Sequence, residues 1–344
     1  MDNMRETKTP NQQYQVMLEP MHEATRRGLH ILKTESKGFT WRQWFALLIA
    51  VFSLGLVFFS LIIQQPNTHY DRSLDSELAK YIHVSPEAAN LPKKGQLFCW
   101  TMTAKGYHKT RAPAVNETWL PRCDHGQFFT NFPFDSELKI AHSTIFAGIP
   151  DSYSNLFFKS RYAFFHIYTK ISKDFEWYLK ADDDTYVIVE NLRSYLSKLN
   201  PDLPYYIGYR LRPYLEHGYN AGGAGYVLSR AAMKIFAEQL YSNASLCPDD
   251  IYEDVGIGRC LANVGIYPLD TRNSRGQQRF NTFRPDEVFH GSVVESPYWM
   301  YDVEIRGYDG VGTDLISFHH LTPDEIRLFD ILLYRVRKPS NISL

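Results

Sequence analysis

Three consecutive carboxylates, Asp182-Asp183-Asp184, stand between the apolar segments Trp177–Leu179 and Tyr186–Val189. Each raises the proton affinity of its neighbours unless a cation or hydrogen-bond donors offset the repulsion. A hard divalent cation is the simplest offset. Carboxylates alone suit Mg2+, Mn2+ or Ca2+, and an added imidazole favours Mn2+ over Mg2+. For the run by itself, a solvated acidic turn capping the helix at Glu190 is the competing reading. A second acidic pair, Glu253-Asp254, sits where a helix through Arg259 begins. It is either an ordinary cap stabilised by the helix dipole or, with Asp254 as general base, a group that takes a proton from a hydroxyl. His319-His320 follow an apparent strand and offer imidazole as a metal ligand or a structural side chain. Gly222-Gly223-Ala224-Gly225 lacks the spacing of a dinucleotide or Walker loop, which leaves close backbone approach to a ligand or a tight turn. Pro297–Tyr301, with Trp299 and Tyr301, is an aromatic cluster suited to a sugar face or to a core. The chain contains neither a GxSxG elbow nor an HExxH helix.

The elements that would position these groups alternate. Strands are expected at Gln96–Thr103, Gln127–Phe132, Ser143–Ala147, Trp177–Lys180, Tyr186–Val189 and Ala224–Leu228. Helices are expected at Ala112–Leu120, Leu156–Ile171, Glu190–Leu199, Arg230–Tyr241 capped by Ser229, and Asp254–Val264 closed by Gly265. The alternation implies an α/β fold with a mixed sheet flanked by helices. Ligands of such sheets bind beyond strand C-termini, where Asp182–Asp184 would lie.

The 344 residues are 44% hydrophobic and 22% charged, a globular composition, and 37 basic against 38 acidic residues argue against nucleic acid as a partner. Trp44–Ile63 is uncharged over 20 residues, enough to span a hydrocarbon core of roughly 30 Å. Lys33, Lys37 and Arg42 precede it, which places the N-terminus in the cytosol. The expected organisation is therefore a cytoplasmic tail (1–43), a single-pass transmembrane signal anchor (44–63), a stem (64–94) and one lumenal catalytic domain (95–344). All four cysteines and the three sequons at Asn116, Asn243 and Asn341 follow the span. Of the three pairings, Cys99 with Cys123 and Cys247 with Cys260 are the sequence-local ones and are favoured; four buried thiols are the alternative.

The run Phe175–Arg193 around Asp182-Asp183-Asp184, Gly222–Ser229, Glu253-Asp254 with Gly258-Arg259-Cys260, Cys99-Trp100 through Trp119 to Cys123, and Ser317-Phe318-His319 together resemble the animal core 1 β1,3-galactosyltransferases. The likeness covers nearly the whole lumenal segment. It implies a GT-A fold on a type II Golgi membrane protein that moves galactose from UDP-galactose to the 3-hydroxyl of GalNAc-α-Ser/Thr on glycoproteins, with Mn2+ and inversion. By that resemblance Asp182, Asp184 and His319 are the metal ligands, with Asp182 also near the nucleotide sugar. Asp254 is the base, Thr103, Arg111 and Lys159 contact UDP, and Gly223, Glu253, Trp299 and Tyr301 meet the acceptor. A homodimer is compatible with this reading. Two departures stand out: Gly310–Asp314 occupies the place of an adjacent cysteine pair, and Phe157-Phe158 precede Lys159 where relatives tend to carry Trp-Gly. The rival readings are a related β1,3-glycosyltransferase with another donor or acceptor, an inactive chaperone-like paralogue, and a membrane-tethered lectin.

Overall fold

The computed structural model describes residues 40–41, 44–53, 79–291 and 298–336. The chain divides into two compact units, Met1–Thr68 and His69–Leu344. In the first, residues 44–53 are helical, while 54–63, the rest of the expected span, lie outside the described residues. Among the described residues no helix is long and apolar enough to cross a membrane.

The second unit is built on a seven-stranded mixed sheet in the order β10-β6-β9-β4-β1-β2-β3. Its centre is β1 (Lys94–Met102) and β4 (Asp174–Asp182), which run parallel over eight paired positions. Both are covered on both faces, so they read as nearly continuous apolar runs. Leu97, Cys99, Trp177 and Leu179 feed one core; Phe98, Trp100 and Tyr178 feed the other. On one side of the central pair, β2 (His125–Phe129) and β3 (His142–Ser143) continue in parallel. On the other, β9 (Tyr226–Ser229) is antiparallel to both β4 and β6 (Tyr206–Ile207), and β10 (Pro268–Leu269) closes that edge. Two small ladders flank the sheet: β5 (Tyr186–Val187) with β11 (Ser317–Phe318), and β7 (Arg210–Leu211) with β8 (Tyr219–Asn220).

The helices that matter for the site begin where local chemistry starts them. After α1 (Pro86–Ala89) comes α2 (Arg111–Glu117), shorter than expected: beyond Thr118 and Trp119, Leu120–Arg122 forms a tighter 3-10 turn around Pro121. The helix expected at Leu156–Ile171 is α3 (Leu156–His166) followed by a π turn, Ile167–Ile171. The helix α4 is Val189–Leu196, and α5 (Arg230–Ile235) again runs into a π turn, Phe236–Leu240. The Ser229 hydroxyl caps α5 by accepting from the Ala232 N–H. Then come α6 (Glu253–Ala262), α7 (Pro285–His290) and α8 (Pro323–Tyr334), with Gly265 at φ 79 after the end of α6. Neither α7 nor α8 figures among the expected helices. Yet Thr322 and Glu325 form a capping box at the start of α8, with Pro323 at its first position.

The expected stem extends to residue 94, but its last part is built into the domain. Val84 bridges Ser143 of β3, and the Ser85 N–H donates to the His142 carbonyl. Of the stem, residues 64–78 lie outside the described residues and Ala79–Tyr81 is a 3-10 turn. Both favoured disulfides are formed, Cys99–Cys123 and Cys247–Cys260.

Candidate active site

The end of β4 separates the three aspartates. Lys180 and Asp182 share one face of the strand's last residues, and Asp183 and Asp184 lie in the turn that follows. Asp183 is thereby turned towards β1 and α2, where it accepts from the Thr103 hydroxyl at 2.7 Å and from Arg111 Nη1 at 3.0 Å. Burial pushes its pKa up to about 6 despite these partners. Arg111 also reaches Asp184 at 3.1 Å and lies over the Tyr107 ring at 4.1 Å. On the opposite face the buried Lys180 ammonium holds Asp182 at 2.6 Å, donates to the Gly222 carbonyl at 3.2 Å and stands 3.6 Å from Glu253. Burial opposes its charge, but Asp182 and Glu253 outweigh that and raise its pKa, so it remains a cation.

The ladder of β11 with β5 delivers His319 to this point. Its Nε2 lies 3.1 Å from Asp184 and 3.8 Å from Asp182, so the metal set expected from the resemblance is assembled in space. Burial disfavours the charged imidazole, yet the facing Asp184 raises its pKa. Burial would likewise raise Asp184, but the imidazole and Arg111 outweigh it and bring Asp184 down to about 2. The imidazole of His319 and the Asp184 carboxylate, both buried, with Asp182 at their edge, fit a divalent cation by the chemistry of the donor set. Asp184, His319 and His320 place donor atoms within 4.8 Å of one another.

The consecutive glycines connect this group to the second acidic pair. A side chain on Gly223 would lie 1.9 Å from His319 Cε1, so only glycine allows the backbone this close to the imidazole. The Gly222 N–H donates to Asp254 at 3.2 Å. Glu253 is turned inward: Tyr226 donates to it at 2.7 Å and Lys180 faces its other oxygen. Asp254 is the more open of the two, and burial together with the Glu253 charge raises its pKa to about 6.

Trp299–Tyr301 is attached to the same region through β7. Met300 bridges Leu211, the Trp299 carbonyl accepts from the Arg212 N–H, and Arg210 lies over the Tyr301 ring at 4.7 Å. Pro297 lies outside the described residues. Tyr214 meets Trp299 edge-on at 6.1 Å and stacks on Tyr252, the residue before Glu253, at 5.8 Å. The half-exposed Trp299 is thereby joined to the N-terminus of α6 through a chain of rings.

Not every expected residue joins the cluster. The Lys159 ammonium is buried against Asp151 and Asn131, which ties α3 to the segments after β2 and β3. Phe157 beside it fills the space over Gly256 of α6, where a Cβ would meet the ring at 2.4 Å. In the segment Gly310–Asp314, Asp314 is held by Arg279 at 2.7 Å and Asn273 at 2.9 Å. Of the sequons, Asn116 lies within α2 with the Thr118 hydroxyl buried against Ala114, Asn243 is exposed, and Asn341 is outside the described residues. Lys180 and Tyr214 were absent from the expected site. Lys180 carried a readable signal, a basic residue two positions before Asp182 on one strand face.

Residues 93–275 match the Fringe-like family. Glycoprotein-N-acetylgalactosamine 3-beta-galactosyltransferase 1 of Xenopus laevis is 33% identical over 253 residues, 72% of this chain and 68% of that protein. Beta-1,3-glucosyltransferase of Mus musculus is 28% identical over 181 residues, covering 51% of this chain but only 35% of its own length. Among solved structures, a glycosyltransferase involved in the glycosylation of the major capsid of PBCV-1 aligns over 70% of this chain and 100% of its own, at 13% identity and a TM-score of 0.39. The chain therefore belongs to the Fringe-like family and, within it, to the core 1 β1,3-galactosyltransferases, which makes it a β1,3-glycosyltransferase.

Proposed function

We propose that the chain transfers galactose from UDP-galactose to the 3-hydroxyl of GalNAc-α-Ser/Thr on glycoproteins, with inversion and with Mn2+, from a GT-A domain anchored on the lumenal side of the Golgi membrane. One observation carries this reading. Gly222 touches Asp254 and Gly223 touches His319, so two adjacent residues hold a carboxylate base beside a carboxylate–imidazole cluster.

Asp182, Asp184 and His319 would hold the cation, which when bound supplies charge neutralisation at the diphosphate leaving group. On the acceptor side, Asp254 takes the proton of the 3-hydroxyl as that oxygen attacks the anomeric carbon. The new bond from that carbon to the acceptor oxygen forms on the face opposite the breaking bond to UDP, and the configuration inverts. Lys180 keeps Asp182 oriented and compensates Glu253, and Arg111 adds positive charge beside Asp183 and Asp184. The rings of Trp299, Tyr214 and Tyr252 offer apolar faces for the acceptor sugar.

The test is transfer from UDP-galactose to a GalNAcα-Thr peptide by the purified chain, with Mn2+, with EDTA, and with Asp184→Asn. Metal-dependent product that disappears in the variant supports the reading. Mn2+-dependent UDP binding without product rejects the proposed donor or acceptor.

A further inference from the structure

His320 lies beside the carboxylate–imidazole cluster. Neighbouring residues of an extended chain point to opposite sides, so with His319 turned to Asp184 its successor should face away. It does not. His320 has φ 60, one of two non-glycine residues with left-handed backbone among those described, the other being Tyr214. That conformation is uncommon outside glycine and persists where surroundings hold it. Arg284, itself bound to Glu325, donates to the His320 carbonyl at 2.8 Å, and the next residue, Leu321, donates from its N–H to the Asp184 carbonyl at 2.9 Å. The turn stacks the two imidazoles with centroids 3.7 Å apart. It also brings a His320 ring nitrogen within 4.8 Å of donor atoms of both Asp184 and His319, while the side chain stays open to solvent.

We propose that His320 is a further metal ligand, which gives this chain a site of two imidazoles with Asp184. The inference rests on the metal-dependent reading above and deepens it. A second nitrogen donor shifts preference along the divalent series, away from Mg2+ and Mn2+ and towards Co2+ and Zn2+.

The experiment uses the full-length chain purified in detergent, without nucleotide. Mn2+ binding is followed by loss of the free-ion paramagnetic resonance signal, and Co2+ binding by its visible absorption. The variant is His320→Asn, because asparagine tolerates left-handed backbone; His320→Gly, which relieves the strain outright, is the folding control. Removing a mere hydrogen-bond partner of a ligand costs about 10–100-fold in affinity. Both variants should therefore bind Co2+ at least about tenfold more weakly, lose less for Mn2+, and show an altered Co2+ spectrum, with thermal midpoints in EDTA at or above the parent's. Unchanged Co2+ affinity and spectrum in both variants, while His319→Asn abolishes binding, overturns the role of His320 alone. A parent chain that binds neither ion overturns the metal-dependent reading and this inference with it.

Discussion

Replacing Asp254 with asparagine should stop turnover and stabilise the protein at the same time. In the folded chain its pKa is raised from 3.8 to about 6 by burial and by the adjacent Glu253 charge. At about 1.4 kcal/mol per tenfold change in proton affinity, holding this carboxylate ionised costs the native state on the order of 3 kcal/mol. Above pH 6 the group is ionised in both states and the cost is present in full. Between 6 and 3.8 the folded protein takes up a proton that the unfolded chain does not, and the cost is relieved; below 3.8 it is gone. The asparagine side chain avoids it at every pH and its amide oxygen can still accept from the Gly222 N–H, but its NH2 cannot accept from the Val255 N–H, which donates to the other carboxylate oxygen at 2.9 Å, and losing that bond gives back about 1 kcal/mol. For a domain of this size about 2–4 °C accompanies each kcal/mol. With a net gain of about 2 kcal/mol, thermal melts in EDTA should then place Asp254→Asn roughly 4–8 °C above the parent at pH 7.5, with the gap closing towards pH 4. Transfer should fall by two orders of magnitude or more, as expected when a general base is lost. An equal or lower midpoint at pH 7.5 would refute the claim that this carboxylate is held under strain. Undiminished turnover would remove it from the reaction.

The same carboxylate sets the acid limb of the rate profile: kcat/KM should fall about tenfold per pH unit below about 6, and a flat profile to pH 5 would assign the proton transfer elsewhere. Gly223→Ala should cut activity at least about a hundredfold and weaken Mn2+ binding, because the added methyl displaces His319; a parent-like Mn2+ titration would show that the methyl is accommodated. Removing the Cys99–Cys123 crosslink, which spans 24 positions, should cost about 3 kcal/mol by loop entropy, read from urea unfolding of the double alanine variant.

What the sequence revealed followed the range of the interactions. The central strands were visible because β1 and β4 are buried on both faces and so carry the apolar runs Leu97–Trp100 and Trp177–Leu179, and the Ser229 cap needs only its own neighbours. Strands of two residues, such as Tyr206–Ile207 and Pro268–Leu269, contain no period to detect; their partners 20 to 62 positions away create them. The box at Thr322–Glu325 was legible and marked a helix that the apolar pattern alone did not. Within the site, the aspartate run pointed to a cation by composition, whereas its pairing with His319 crosses 135 positions and came from family likeness. Lys159 illustrates the converse: a basic residue at a matching position whose charge is satisfied locally by Asp151. No local pattern announces the left-handed backbone at Tyr214 and His320, since neither is a residue type that favours it as glycine does.

The docking of Val84 and Ser85 along β3 has a consequence beyond fixing where the domain begins. A seven-stranded sheet has two outer margins, and each would offer unpaired amides and carbonyls to any extended stranger. Here the incoming chain covers part of one margin, and the other ends in a two-residue strand whose first member, Pro268, has no N–H to give. The sheet that carries the aspartate run is thus poorly suited to templating its own growth at either margin.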